Sequence, residues 1–198
     1  MIKVLKSTHH IRVLVIVRNP GLNLEDRDSL FTSVRKAVKF KIINIRIASE
    51  HIEFDINVNN ISDVDELKRL GLEVMDVVNI DIENETEVNS ELNEWDSLIK
   101  YVELFNKERF WEAHEVLERI WHKNRNEGIR GLIVLAAAFV KLQENNPEAF
   151  RELMIIAREL IANNEIPWIN RESLLRKIDN ALATMKLFKI EETDIKRI

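Results

Sequence analysis

Apolar residues recur with two different periods along this chain of 198 residues. In the first half, β-branched runs such as Ile11 to Val17 alternate with stretches of helical spacing such as Leu24 to Phe40, which predicts strands and helices in turn. In the second half every amphipathic stretch has the helical period. The polar segment Asn84 to Glu91 has no apolar period and is typical of a linker. We therefore predict two domains, residues 1–86 and 87–198.

The first half follows the order β-α-β-β-α-β, which is the plan of a ferredoxin-like domain. Ile43 to Ile47 and Ile52 to Val58 alternate apolar and polar residues and form a predicted hairpin. A short helix from Asp63 to Leu70 ends before Gly71, and a last strand carries Val78, Ile80 and Ile82.

In this plan both helices cover one face of the sheet, and we expect the other face to be open. That face lacks the aromatic residues on which RNA-recognition domains stack bases, which argues against an RNA-recognition role for this sheet. Its aliphatic members Leu14, Ile16 and Ile42 suggest instead a homodimer interface of a non-enzymatic adaptor protein. The residues expected there include Arg12, Leu14, Ile16, Arg18, Glu53, Asp55, Asn57, Asn79 and Asp81.

The second half predicts an all-α domain of five helices, so the fold class of the chain is α+β. The third helix, residues 129–143, is apolar on all sides and is expected to lie at the centre. Asn170 is expected to cap the fifth helix. The five predicted segments are Trp95–Phe105, residues 109–123, residues 129–143, Phe150–Ile161 and Glu172–Leu187.

Composition limits the partners, the kinds of metal site and the cellular locations that are expected for this chain. The net charge is −5 and neither half is basic, which argues against nucleic acid as a partner. The chain has no cysteine, so disulfides and thiolate metal sites are excluded, and a reducing cytoplasm is the expected location. The longest apolar run, Leu132 to Val140, is too short to span a membrane, and no signal peptide is recognisable.

The candidate chemistry is concentrated in residues 110–121, which carry a histidine, three carboxylates and two tryptophans on one predicted helix. Each residue of an α-helix advances by about 100°, so Glu118 lies about 40° from His114. Trp111 and Trp121 fall on either side of this pair. The helix therefore predicts a buried cluster of histidine, glutamate and tryptophan at the rim of its apolar face.

The same residues resemble a known family. Phe105-Asn106, the run from Phe110 to Glu118 and Trp121 resemble the signature of domain of unknown function 309, and the resemblance extends over roughly residues 92–187. It implies a small all-α domain, and it carries no established activity, cofactor or partner. The family commonly has glutamine where this chain has Arg130, and its members are often the helical domain alone.

Three interpretations of the cluster remain open. It is a structural network in which Arg130 is the charge partner of His114 and Glu118, or a metal site with His114 and Glu118 as ligands, or a small-ligand pocket. In the pocket interpretation His114 and Glu118 are a catalytic acid–base pair of hydrolase type. The ligand-binding residues expected around that pair are Trp111, Glu115, Trp121 and Arg130.

Overall fold

The fold is described from a computed structural model, and the description covers residues 10–80 and 93–196. The chain divides into an N-terminal unit, Met1–Glu91, and a C-terminal unit, Leu92–Ile198. The predicted linker and the predicted boundary between residues 86 and 87 fall in 81–92, outside the described residues.

The N-terminal unit has the predicted ferredoxin-like topology. Its four antiparallel strands lie in the order β2-β3-β1-β4, so the first and third strands are central. Short 3₁₀ turns, Leu24–Asp26 and Ile61–Val64, precede the two helices. The elements are β1 Ile11–Arg18, α1 Arg27–Ala37, β2 Lys41–Ile47, β3 His51–Val58, α2 Asp65–Arg69 and β4 Val74–Asn79.

The last strand lies earlier in the chain than we predicted. β4 begins at Val74 and ends at Asn79, whereas the alternation of Val78, Ile80 and Ile82 placed it later. Its position follows from pairing with β1, where Val77 lies opposite Val15. Met75 and Val77 of β4 are apolar but exposed, so the strand lacks the alternation of buried apolar and exposed polar residues that predicts a half-buried strand. The prediction that the second helix ends before Gly71 is confirmed. α2 ends at Arg69, and Gly71 has the positive φ, 83°, that is typical of the residue after a helix.

One face of the sheet forms the hydrophobic core with the helices. Val13, Val15 and Val17 of β1 point into this core, where α1 contributes Val34 and α2 contributes Leu67. All five side chains are buried. The prediction that both helices cover one face is confirmed.

The second face carries a buried ionic network and is not open. Arg46 of β2 places Nη1 3.1 Å from Glu53 Oε2 and Nη2 3.3 Å from Asp55 Oδ2. Arg12 of β1 donates to both oxygens of Asp55, at 2.9 and 2.7 Å. Glu53 and Asp55 are only 0% and 1% exposed. The expectation of an open face was wrong for these residues, whose guanidinium partners across neighbouring strands allow the carboxylates to be buried. Asp81, also expected on this face, lies outside the described residues.

The same burial bears on the predicted dimer interface. Leu14 and Ile16 are buried within the chain, and Ile42 lies on the opposite, helix-covered face, where it is part of the hydrophobic core. Exposed aliphatic residues would have favoured an adaptor that dimerises through this face, and these three side chains do not provide them.

The C-terminal unit contains the five predicted helices. Four of them begin after an asparagine whose side chain accepts a hydrogen bond from a backbone N–H of the first turn, which is the usual role of an N-cap. Asn170 is one of these caps, as predicted. The helices are α3 Glu94–Asn106, α4 Phe110–Asn124, α5 Glu127–Gln143, α6 Pro147–Asn163 and α7 Arg171–Thr184.

The core of this unit is aromatic and surrounds α5. Phe139 of α5 contacts Phe105, Phe110, Phe150 and Phe188, with ring centroids 5.0 to 5.6 Å apart. The central position predicted for the third helix is confirmed by the burial of most of its residues. Among the described residues, no helix is long and apolar enough to cross a membrane.

Candidate functional site

The predicted site lies on α4, along the rim of its buried face. The helix buries Phe110, Ala113, Val116, Leu117 and Ile120, which recur at intervals of three and four residues. His114 and Glu118 are one turn apart beside this apolar stripe, so both side chains are held at the boundary between core and solvent.

Three side chains of α4 converge at this rim. His114 Nδ1 lies 3.2 Å from Glu115 Oε1 and 3.6 Å from Glu118 Oε2. One ligand atom from each of the three residues lies within 4.8 Å of the other two. His122 extends the row, with Nε2 3.8 Å from Glu118 Oε1. The structure therefore brings together the predicted pair and adds Glu115 to it.

The cluster is half-buried and open to solvent on one side. The side chains of His114, Glu115 and Glu118 are 25%, 35% and 38% exposed. This differs from the buried cluster that the flanking tryptophans suggested. The reason is that the row lies at the edge of the apolar stripe of α4, where the side chains reach solvent.

Arg130 does not serve as the charge partner of this cluster. Its Nη1 lies 2.9 Å from Glu127, three residues earlier on α5. Glu115 lies next to His114, and Glu118 lies next to both His114 and His122.

Trp121 lies one turn beyond Glu118 and is flanked by two guanidinium groups. The Arg125 Cζ atom is 4.5 Å from the centre of the indole ring and that of Arg130 is 5.8 Å away, which are distances of cation–π contacts. Arg125 ends α4 in the left-handed conformation, with φ of 54°. Trp111, the other predicted ligand-binding tryptophan, is half-buried on the turn before His114.

The donor atoms have a spacing that suits a metal ion. A tetrahedral ion with metal–ligand distances of about 2.0 to 2.1 Å separates its ligand atoms by about 3.3 Å. The observed distances of 3.2 and 3.6 Å from His114 Nδ1 are near that value. One imidazole and two carboxylates would suit zinc, iron or manganese.

Two features of this unit were missed by sequence reasoning. The contact of Arg125 with Trp121 could have been found from the spacing of four residues, which places both side chains on one face of α4. The side chain of Asn106 holds the backbone of Ile190, 84 residues away, and no sequence pattern indicates that contact.

Comparison with known proteins gives a family for part of the helical unit. No curated protein and no solved structure matches the chain. The family model described as Domain of unknown function (DUF309) matches residues 98–153, which run from α3 into α6 and include the whole cluster. The predicted resemblance is thereby confirmed: the helical region of this chain carries a DUF309 match over residues 98–153.

Proposed function

We propose that the helical unit binds a divalent first-row transition-metal ion through His114, Glu115 and Glu118. The observation that carries the proposal is the convergence of three ligand atoms from one helix to within 4.8 Å of one another. Histidine nitrogen and carboxylate oxygen are ordinary ligands of zinc, iron and manganese in proteins.

The exposure of the cluster favours this function over a structural network. Ion pairs on a protein surface contribute only about 0 to 1 kcal/mol to stability, so three partly exposed side chains add little to the fold. Two neighbouring carboxylates also repel each other unless a cation lies between them. A bound metal ion supplies that cation.

Three protein ligands leave a coordination position for water or substrate, which is the arrangement of catalytic metal sites. On this basis His114, Glu115 and Glu118 would hold the metal ion, and the ion would supply Lewis-acid activation of a water molecule. Trp121, with Arg125 and Arg130 stacked on it, borders the site as a binding surface. We also propose a cytoplasmic location, which the lack of cysteine supports.

The test is calorimetric titration of the metal-free full-length protein with Zn²⁺ and, separately, with Mn²⁺. We expect one site per chain, and we expect Glu118→Gln to weaken binding at least about tenfold, since even partners outside the first coordination shell contribute about 10- to 100-fold. His122→Gln measures the contribution of the fourth side chain in the row.

Glu152→Gln is the matched control, because Glu152 is an exposed glutamate on α6 outside the cluster. It should bind the metal as the wild type does. If Glu118→Gln and Glu152→Gln have equal affinities, the α4 cluster is not the site.

A further inference from the structure

A second site lies between α7 and the C-terminal tail, away from the cluster on α4. A cleft of about 310 Å³ opens there. One wall is a single face of α7, whose residues recur at intervals of three and four, and the other wall is the segment from Phe188 to Glu191. The lining residues are Ser173, Arg176, Lys177, Asn180, Phe188, Lys189 and Glu191.

The tail is held in place by hydrogen bonds on both sides of the cleft. Lys177 Nζ donates to Asp194 at 2.6 Å, to Glu191 at 3.0 Å and to the Lys189 carbonyl at 2.9 Å. The Asn106 amide binds both the N–H and the C=O of Ile190, each at 2.8 Å. The cleft is therefore a formed feature of the fold, and its walls need no rearrangement to accept a ligand.

The charges of the cleft favour an anion. Lys177 forms ion pairs with Glu191 and with the buried Asp194. Arg176 and Lys189 line the same cleft, and the side chain of neither forms an ion pair within residues 10–80 and 93–196. These five groups leave one positive charge in excess, in a chain whose net charge is −5.

We propose that this cleft binds a small phosphate monoester with an apolar body. The guanidinium of Arg176 can donate two parallel hydrogen bonds to two oxygens of one phosphate group, and Lys189 adds a second positive charge. The ring of Phe188 packs against Phe105 and Phe139, so it offers a fixed apolar surface for the body of the ligand. The volume is at the lower end of small-molecule sites, which start at about 300 Å³. This proposal does not depend on the metal site.

The probe is phenyl phosphate, titrated calorimetrically into the full-length protein in EDTA, so that no metal on α4 can hold the phosphate. We expect saturable 1:1 binding that weakens at least tenfold in the double variant Arg176→Gln with Lys189→Gln. Lys186→Gln is the matched control, because Lys186 lies on the same tail but does not line the cleft. It should bind phenyl phosphate as the wild type does.

Two further ligands separate the contributions of the phosphate and of the ring. Inorganic phosphate should bind several-fold more weakly than phenyl phosphate, and phenol should give no saturable binding. Circular dichroism of the double variant checks that its helices remain intact. No saturable binding of phenyl phosphate to the wild type, equal binding by the double variant, or equal binding of phenol would each overturn the proposal.

Discussion

The side-chain amide of Asn106 forms two hydrogen bonds with the backbone of Ile190. Its Nδ2 donates to the Ile190 carbonyl and its Oδ1 accepts from the Ile190 N–H, each at 2.8 Å. Asn106 is the last residue of α3, and Ile190 is buried in the tail that follows α7. A single side chain thus replaces the partner strand that this short stretch of backbone lacks.

Replacing Asn106 by alanine should lower the free energy of unfolding of the helical unit by about 2 kcal/mol, since two hydrogen bonds are lost and a part-buried N–H and C=O lose their partners. All four tryptophans lie in this unit, at 95, 111, 121 and 168, so fluorescence during urea unfolding reports on it directly. Asn124→Ala is the control, because Asn124 also makes two side-chain hydrogen bonds, to Glu94 and from the Asn126 N–H, but both are exposed and their loss should change stability by less than about 0.5 kcal/mol. Equal effects of the two substitutions would contradict this role of Asn106.

Two glycines of α5 should respond differently to alanine. A Cβ atom at Gly128 would lie 2.5 Å from the backbone oxygen of Glu165, whereas one at Gly131 would first meet the side chain of Ile161, at 2.7 Å. Alanine gains up to about 1 kcal/mol of helix propensity at either position. Because backbone yields less readily than a side chain, we expect Gly128→Ala to destabilise the unit by about 1 to 3 kcal/mol and Gly131→Ala by clearly less. Urea unfolding followed by fluorescence measures both, and a larger loss at Gly131 would refute the comparison.

The buried network of the sheet predicts a large effect of one arginine. Arg46→Met leaves Glu53 without its guanidinium partner at full burial, and such a loss destabilises by about 3 to 5 kcal/mol. Arg18→Met is the control, because the pair of Arg18 with Glu73 is exposed and screened by solvent, so it contributes little to stability. Since this unit has no tryptophan, hydrogen exchange of the β1 and β3 amides is the measurement. Similar protection in the two variants would show that the network does not stabilise the sheet.

The pair of Lys177 and Asp194 predicts how stability depends on pH. Burial opposes the charge of Asp194, but hydrogen bonds from Lys177, Ser173 and the Glu191 backbone together hold the pKa of this carboxyl below its ordinary value. A lowered pKa means that the charged carboxylate stabilises the fold above about pH 4 and that this contribution is lost as pH falls through the folded-state pKa. Burial also disfavours the charge of Lys177, yet its bonds to Asp194 and Glu191 raise its pKa, so its contribution is lost only in strong alkali.

Asp194→Asn should therefore be less stable than the wild type by about 2 kcal/mol near pH 7, and the difference should shrink as the pH falls below about 4. Urea unfolding at several pH values measures this difference without adding salt that would screen the charges. A difference that stays constant from pH 7 to pH 3 would contradict the assignment.

The helices could be predicted from the sequence because their apolar period and their asparagine caps are local signals. Asn170 illustrates this, since its position just before an amphipathic stretch predicts the N-cap that the structure has. The buried face of the sheet could not be predicted in the same way. Glu53 tolerates burial because Arg46 lies opposite it on the neighbouring strand, and the register of that pairing cannot be read from either strand alone.

Part of the candidate site could also be predicted, because it depends on local spacing along one helix. His114 and Glu118 meet because both lie on one helix, where spacing determines proximity. Arg130 was misplaced because Glu127, three residues before it on its own helix, is a nearer partner than a carboxylate on α4. The cleft beside α7 escaped prediction because the tail that forms one wall has no period.

The most direct test of the metal site is an anomalous difference map from crystals of the full-length protein soaked in a low concentration of Mn²⁺ or Zn²⁺. We predict a single strong peak on α4, at about 2.0 to 2.2 Å from His114 Nδ1 and from one carboxylate oxygen each of Glu115 and Glu118. The same soak of Glu118→Gln crystals should lose the peak. A well-ordered wild-type map with no peak at these three side chains would contradict the proposed function.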